Sequence, residues 1–337
     1  MTPGGTPPGT GARRGTRHVP VLLPEMLRAL APRAGETYID ATFGAGGYSG
    51  AILAAVGDAR VLAIDRDPDA IAAGAALLAR YPARLILRQG AFGDLDLIAR
   101  DAGVTPIAAV VLDIGISSVQ VDDPERGFSF QRDGPLDMRM AQEGPTAADF
   151  VNTAPEAELA DVIFRLGEER AARTIARRIA VRRSQRPFAR TRDLSELVVA
   201  VLGREKVAGR HAATRTFQAL RMHVNDELGQ LARALRAAER ILDPGGRLIV
   251  VTFHSLEDRL CKDFLRQRAS SGPKLSRHLP PAPPDAPPPS FRFLNQRPLS
   301  PGAEEIAANP RARSAKLRAA VRTEAPPWPE PASGAGG

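Results

Sequence analysis

A single cysteine, Cys261, occurs among 337 residues. One thiol excludes an internal disulfide framework and suits a reducing compartment. No apolar run approaches the length of a membrane span, and the first residues hold no signal-type apolar region. A soluble, cytoplasmic protein without a membrane partner is therefore expected. Lysine is scarce: four lysines stand among 46 basic residues, so the positive charge is arginine. There is no internal repeat. No cluster reads as a metal site either. His254, Glu257 and Asp258 come nearest, but adjacent acids point about 100° apart on a helix. Ser255 as N-cap with Asp258 at the third helical position reads better as a helix start. No metal is expected.

What is present is a globular chain with 43 % hydrophobic residues and a formal net charge of +8. The charge is unevenly placed. Between Phe164 and Met222 fifteen Arg/Lys oppose five Asp/Glu, which leaves the remainder slightly acidic. A segregated basic block suits a polyanion, because neutralised phosphates release counterions. A solvated arginine surface is the competing reading.

Residues 1–17 are Gly, Thr, Pro and Arg with little apolar content, so a disordered leader is expected. Strand patterns over 37–42, 60–64, 84–88 and 108–113 then alternate with helical ones near 24–30 and over 47–56, 69–80 and 92–102. Such alternation implies βαβ crossovers and a parallel sheet. It stops at 114–145, a loop-like stretch rich in Gly and Pro breakers. A helical, arginine-rich pattern follows from 146 to about 201. The sheet pattern resumes with a helix over 226–241, the turn Asp243-Pro244-Gly245-Gly246 and a strand over 247–253. The expected organisation is a mostly parallel, doubly wound α/β domain (18–123 and 223–325) interrupted by a basic helical insertion (124–222). A proline-rich loop spans 272–289, and a disordered tail covers 326–337.

The segment Asp40-Ala41-Thr42-Phe43-Gly44-Ala45-Gly46-Gly47 joins a strand to a helix, and Asp65 ends the next strand eighteen residues after Gly47. Glycines admit a ligand close to backbone, and a carboxylate there can accept both ribose hydroxyls. Gly44 and Gly46 match the first two glycines of a dinucleotide fingerprint. The third position is Ser49, with Gly50 one residue late. Asp40 would repel a pyrophosphate but could serve a cationic methionine moiety. S-adenosylmethionine (SAM) is therefore favoured over NAD. Asp40 aside, each feature alone could be a tight turn, a cap or a strand-end carboxylate; Asp65 and Asp113 with the glycine turn, on successive strand ends, make a pocket.

Val110-Val111-Leu112-Asp113-Ile114-Gly115-Ile116-Ser117-Ser118-Val119-Gln120 and Asp122-Asp123-Pro124-Glu125-Arg126-Gly127-Phe128-Ser129-Phe130 are more distinctive. So are Asp133-Gly134-Pro135-Leu136-Asp137-Met138-Arg139-Met140, Gly167-Glu168-Glu169-Arg170, Ala213-Thr214-Arg215-Thr216-Phe217-Gln218-Ala219, Thr252-Phe253-His254-Ser255-Leu256-Glu257-Asp258-Arg259 and Asn309-Pro310-Arg311-Ala312-Arg313-Ser314. With His18-Val19-Pro20-Val21-Leu22-Leu23, the chain resembles the ribosomal RNA small subunit methyltransferase H family (MraW) from His18 to about Arg322.

That resemblance implies a class I SAM-dependent methyltransferase fold and methylation of the exocyclic N4 of a cytidine in the decoding region of 16S ribosomal RNA, within the small (30S) subunit. By the same match, the turn with Gly44, Gly46, Gly47 and Tyr48 would line the methionine end of SAM. Asp65 would hold its ribose and Phe92 would flank its adenine, with Asp113 and Gln120 at the reactive end. Tyr48 stands where the family usually has His, and Val119 where proline is common. A homodimer is left open.

The N4 lone pair is delocalised into the ring, so the amine gains from positioning and from acceptors for its N–H groups. Asp113 is the first candidate acceptor, then Ser117 or Ser118; a purely SAM-orienting Asp113 is the alternative. The Pro-Pro-aromatic loop often found in amino-methyltransferases is missing, which counts against the alternative of a DNA cytosine-N4 methyltransferase; a non-catalytic RNA-binding ribosome assembly factor is the other alternative. Phe128 and Phe130 are candidates to stack on an unstacked base. Asp137 and Arg139 are candidates for base or sugar. Arg170 and its helical neighbours Arg173, Arg177, Arg178, Arg182 and Arg183 are phosphate candidates, while Arg215 and Gln218 sit beside a substrate-facing helix start.

Overall fold

A computed structural model of the chain describes residues 20–203, 206–207, 210–269 and 287–329. The expected leader, His18, residues 272–286 of the proline-rich loop and residues 330–337 of the tail lie outside the described residues.

Seven strands form one sheet: β1 (Thr37–Asp40), β2 (Arg60–Asp65), β3 (Leu85–Gln89), β4 (Ile107–Asp113), β5 (Leu242–Thr252), β6 (Phe291–Phe293) and β7 (Lys316–Arg322). Their order is β3-β2-β1-β4-β5-β7-β6. The first five run parallel, and β7 lies antiparallel between β5 and β6. Doubly wound strands are covered on both faces, which is why β2 and β4 read as nearly unbroken apolar runs. One face packs Ile39, Leu62, Val110 and Leu248 against α5 (Leu95–Asp101), α12 (Glu227–Ile241) and α13 (Ser255–Ala269). The other packs Tyr38, Val61, Val111 and Ile249 against α1 (Leu23–Leu30) and α2 (Gly47–Ala55). This is the class I methyltransferase fold.

Local chemistry accounts for the departures from expectation. The helix expected over 69–80 is two, α3 (Pro68–Ala73) and α4 (Ala75–Arg80), parted at Gly74. Within the stretch read as loop, α6 (Ser118–Asp122) forms because Ser117 and Gln120 make a capping box. The turn Asp243-Pro244-Gly245-Gly246 lies inside β5 as a wide bulge: Leu242 pairs with Ile107 and Arg247 with Ala109. Residues 326–329, expected within the tail, are packed: the Trp328 amide donates to Glu239 Oε1 at 3.2 Å and its indole to the Pro288 carbonyl at 2.9 Å.

Between β4 and α12 the chain builds a separate core from α7 (Ala147–Thr153), α8 (Glu156–Gly167), α9 (Ala172–Arg183), α10 (Thr191–Leu202) and α11 (Thr214–Val224). α11 continues past residue 222, so the hinge back to the sheet domain falls at Asn225-Asp226. Arg126 clasps the two parts. Its guanidinium reaches Asp67 at 2.9 Å and Asp69 at 3.1 Å, and the carbonyls of Arg139 and Met140 at 3.0 Å each. Asn225 adds bonds to the Met138 carbonyl at 2.7 Å and the Met140 amide at 2.9 Å. No described helix is long and apolar enough to cross a membrane.

Candidate active site

β1, β2 and β4 each end in an aspartate, which puts three acids along one edge. Asp40 is fully buried; Oδ2 accepts the Ser49 amide at 3.1 Å and its hydroxyl at 2.7 Å, so the acid also closes the first turn of α2. Burial pushes its carboxyl up to about 6. Both oxygens of Asp40 hold local donors, since Oδ1 also accepts the Thr42 amide at 3.3 Å.

Gly44 and Gly46 take left-handed backbone conformations, φ +53° and +75°, which glycine adopts without a Cβ penalty. The turn delivers the Gly44 amide to Asp65 Oδ2 at 2.7 Å, while Asp65 Oδ1 accepts the Asp67 amide at 2.9 Å. Each oxygen keeps a second lone pair for a ribose hydroxyl. Burial raises the Asp65 pKa as well. At Gly47 a Cβ would lie 2.1 Å from Pro20 Cγ, so this glycine makes room for the N-terminal segment. Tyr48 is buried, and its hydroxyl donates to the Val21 carbonyl. Its side chain ties α2 to that segment.

Asp113 is anchored by its amide, which donates to Thr42 Oγ1 at 2.7 Å. The residue keeps some surface exposure, but Oδ1 is covered and has no hydrogen-bond partner. Burial, with Asp40 and Glu257 nearby, pushes the carboxyl up to about 8. Ser117 and Gln120 are spent on α6: Ser117 Oγ accepts the Gln120 amide at 3.2 Å, and Gln120 Oε1 accepts the Ser117 amide at 3.0 Å. Gln120 Nε2 also donates to buried Asp67 at 2.7 Å. Gln120 therefore braces α6 against the chain after β2. Ser118 opens α6, and Phe92 opens a 3-10 turn after β3, half-buried against the α5–α12 side of the core.

Two side chains read from sequence only as a helix start belong to this edge. Glu257 is fully buried; its Oε2 accepts the Phe253 amide at 2.8 Å and the His254 amide at 3.3 Å. His254 is therefore the N-cap, in place of Ser255, and Glu257 the returning acid. Asp258 instead pairs with Lys316 at 2.9 Å and Arg318 at 2.8 Å. His254 Nε2 lies 2.7 Å from Glu257 Oε1 but off the hydrogen-bonding line, and both atoms stay without a partner. Thr216 Oγ1 on α11 and Arg66 Nε after β2 share that condition. No periodicity marks an orphaned atom; only the Thr252–Arg259 motif hinted at this group.

The substrate candidates lie mostly inside the insertion. Phe128 is 7 % exposed within the insertion core, which leaves no open ring face for a base and corrects that expectation. Phe130 stacks on His211 at 4.6 Å and meets Phe217 edge-on at 5.4 Å. Asp137 and Arg139 pair with each other at 2.7 and 2.9 Å, and Arg139 also holds the Gly144 carbonyl at 3.0 Å, so both build their own loop. Arg215 and Gln218 donate to the carbonyls of Glu168 and Leu166, each at 3.1 Å, fixing the α8–α9 corner. Ser255 reaches Glu168 at 2.7 Å, so this corner adjoins the start of α13. Arg170 is exposed at the same corner, and Arg173, Arg177 and Arg178 on the outer side of α9. Arg182 pairs with Asp193 at 3.0 Å and Arg183 donates to the Val151 carbonyl at 2.7 Å, which removes both from the phosphate candidates.

A model of the MraW methylase family matches residues 15–323. Curated relatives are similar over nearly their whole length. The ribosomal RNA small subunit methyltransferase H of Methylobacterium sp. (strain 4-46) is 58 % identical over 321 residues, 94 % of each chain. Those of Azorhizobium caulinodans and Paramagnetospirillum magneticum are each 55 % identical. They cover 97 % and 92 % of this chain, and 93 % and 97 % of their own.

Proposed function

Since the chain belongs to the MraW methylase family, we propose that it is a SAM-dependent methyltransferase of 16S ribosomal RNA acting on the N4 amine of a cytidine in the small subunit. The single observation that carries the amine is Asp113: a covered, unpartnered carboxylate oxygen beside the glycine turn. An exocyclic amine brings the N–H donors that such an acceptor lacks.

The edge residues fit the cofactor. Asp65 offers lone pairs to a ribose, and the first-turn amides of α2 at Gly47 and Tyr48 have no intrahelical carbonyl to reach. Phe92, after β3, gives an apolar wall for an adenine. Bound SAM supplies an electrophilic methyl group on a positively charged sulfur. The protein's part is positional and electrostatic. Asp113 accepts a hydrogen bond from the amine, which orients the nitrogen lone pair away from the carboxylate. As the nitrogen gains positive character the same carboxylate takes its proton, and its raised pKa makes it a stronger base than an ordinary aspartate. Outside the edge, Arg170, Arg173, Arg177 and Arg178 present charge to phosphates.

The test is transfer of a labelled methyl group from SAM by purified protein. Label is expected in 16S RNA of small subunits from a strain lacking the enzyme, with none in duplex DNA. Label in DNA, or none in either, overturns the reading.

A further inference from the structure

Building on that reading, we propose that Asp113 is a charge-matching proton store: it holds a proton when the cleft lacks a cation, releases it when the sulfonium binds, and recovers it from the methylated amine. The geometry is the basis. Asp40 and Glu257 are fully buried; Asp113 Oδ1 is covered and without a hydrogen-bond partner, and Glu257 Oε1 makes no hydrogen bond either, its near contact being His254 Nε2 at 2.7 Å. Among the described residues no arginine, lysine or histidine forms an ion pair with Asp40, Asp65 or Asp113.

The groups facing Asp113 come from four elements. β1 contributes Asp40, and the loop after it Thr42, whose hydroxyl already holds the Asp113 amide. α2 contributes Tyr48, whose phenol is committed to Val21 and is itself pushed up by burial, with Asp113 and Asp40 adding to it. α13 contributes Glu257, with His254 as its N-cap. α11 brings Arg221 within electrostatic reach of Glu257, but that guanidinium is bound through two bonds to Glu227 at 2.7 and 2.8 Å. Among the described residues no cation is thus paired with Asp113 itself; His254 Nε2 lies 2.7 Å from Glu257 Oε1, and Arg221 is bound to Glu227.

Like-charged carboxylates sharing a buried site cannot all ionise, so one keeps a proton. Asp113, raised to about 8, is the one that does so at neutral pH; Asp40 is raised to about 6. A sulfonium reverses the balance, because an adjacent positive charge favours the carboxylate. In the transfer itself the N4 lone pair forms a bond to the methyl carbon as the carbon–sulfur bond breaks, its electron pair staying on sulfur. One N4 proton passes to the Asp113 carboxylate. The carboxylate–sulfonium pair carries zero net charge before the step, and the acid and thioether carry zero after it. The product thioether then lacks the attraction that held the substrate, which favours its release.

Calorimetry in buffers of different ionisation enthalpy tests this on the full chain. Between pH 6.5 and 7.5, SAM binding is expected to release close to one proton and S-adenosylhomocysteine close to none. SAM affinity should rise by up to about tenfold per pH unit in this range, with the homocysteine affinity level. Asp113→Asn should abolish SAM-linked release while still binding S-adenosylhomocysteine, which shows that the variant is folded. Equal proton release for both ligands, or release that survives Asp113→Asn, overturns the proposal. Failure of the wild type to bind SAM at all would instead overturn the reading beneath it.

Discussion

At the sheet edge, Asp40, Asp113 and Glu257 gather carboxyl groups with, among the described residues, no arginine or lysine paired to them, whereas the insertion and its approach pair their charges. Arg126 meets Asp67, Arg139 meets Asp137, Arg182 meets Asp193 and Arg190 meets Asp133. Among the described residues, four of the five orphaned buried polar atoms lie at or just after strand ends, and the fifth, on Thr216, belongs to α11, the helix that carries Arg221 toward Glu257. A buried unpaired polar group costs stability, so a fold retains a cluster of them where a ligand completes it. The insertion teaches the converse. Its paired arginines hold the loops, whereas Arg170, Arg173, Arg177 and Arg178 stay exposed and available to a polyanion.

Breaking the edge should have the largest effect. Asp113→Ala is expected to cut methyl transfer by about 10²–10⁴ with the thermal transition retained, read by single-turnover kinetics. A loss under tenfold would make Asp113 an orienting residue. Next is the clasp. Arg126→Ala leaves buried Asp67 without its cation and should cost about 3–5 kcal/mol in denaturant unfolding; a loss below 1 kcal/mol would mean that the insertion docks without it.

The two regions should also separate by pH. Asp40 and Asp113 ionise in the folded state at about 6 and 8, above an unfolded carboxylate. The folded chain therefore holds extra protons from about pH 4 to 8, and the stability they contribute declines as pH rises through that window. The melting temperature without ligand should drop by several degrees between pH 6 and 8, and Asp113→Asn should flatten that part of the curve. An unchanged slope in the variant would place the titration elsewhere.

Replacing Arg173, Arg177 and Arg178 with alanine should lower the slope of log affinity for RNA against log salt by about 2, leaving SAM affinity unchanged. An unaltered slope would move the RNA to another face. Smallest is Tyr48→Phe, which removes the donor to Val21 and should cost about 1–2 kcal/mol by denaturant titration without altering SAM affinity.

The parallel sheet was legible because β2 and β4 carry unbroken apolar runs and the glycine turn punctuates β1, all within short sequence distance. Asp65 and Asp113 were legible for the same reason, as they end those runs. Phe128 was misread because its partners in the insertion core depend on how the chain folds back, and the Gln120–Asp67 bond was invisible for the same reason. His254 and Glu257 were hidden in a helix start; the same capping box that explains them locally also places two orphaned atoms at the edge. Arg182 and Arg183 share the helical spacing of their exposed neighbours, and nothing in that spacing tells which ones turn inward.

The most direct test of the account is nucleoside mass spectrometry on 16S RNA from unmethylated small subunits incubated with SAM and the purified protein. One new methyl per subunit is expected, on N4 of cytidine, formed at least about a hundredfold more slowly by Asp113→Ala. A methyl on another atom or base, or an undiminished N4 product from that variant, would contradict it.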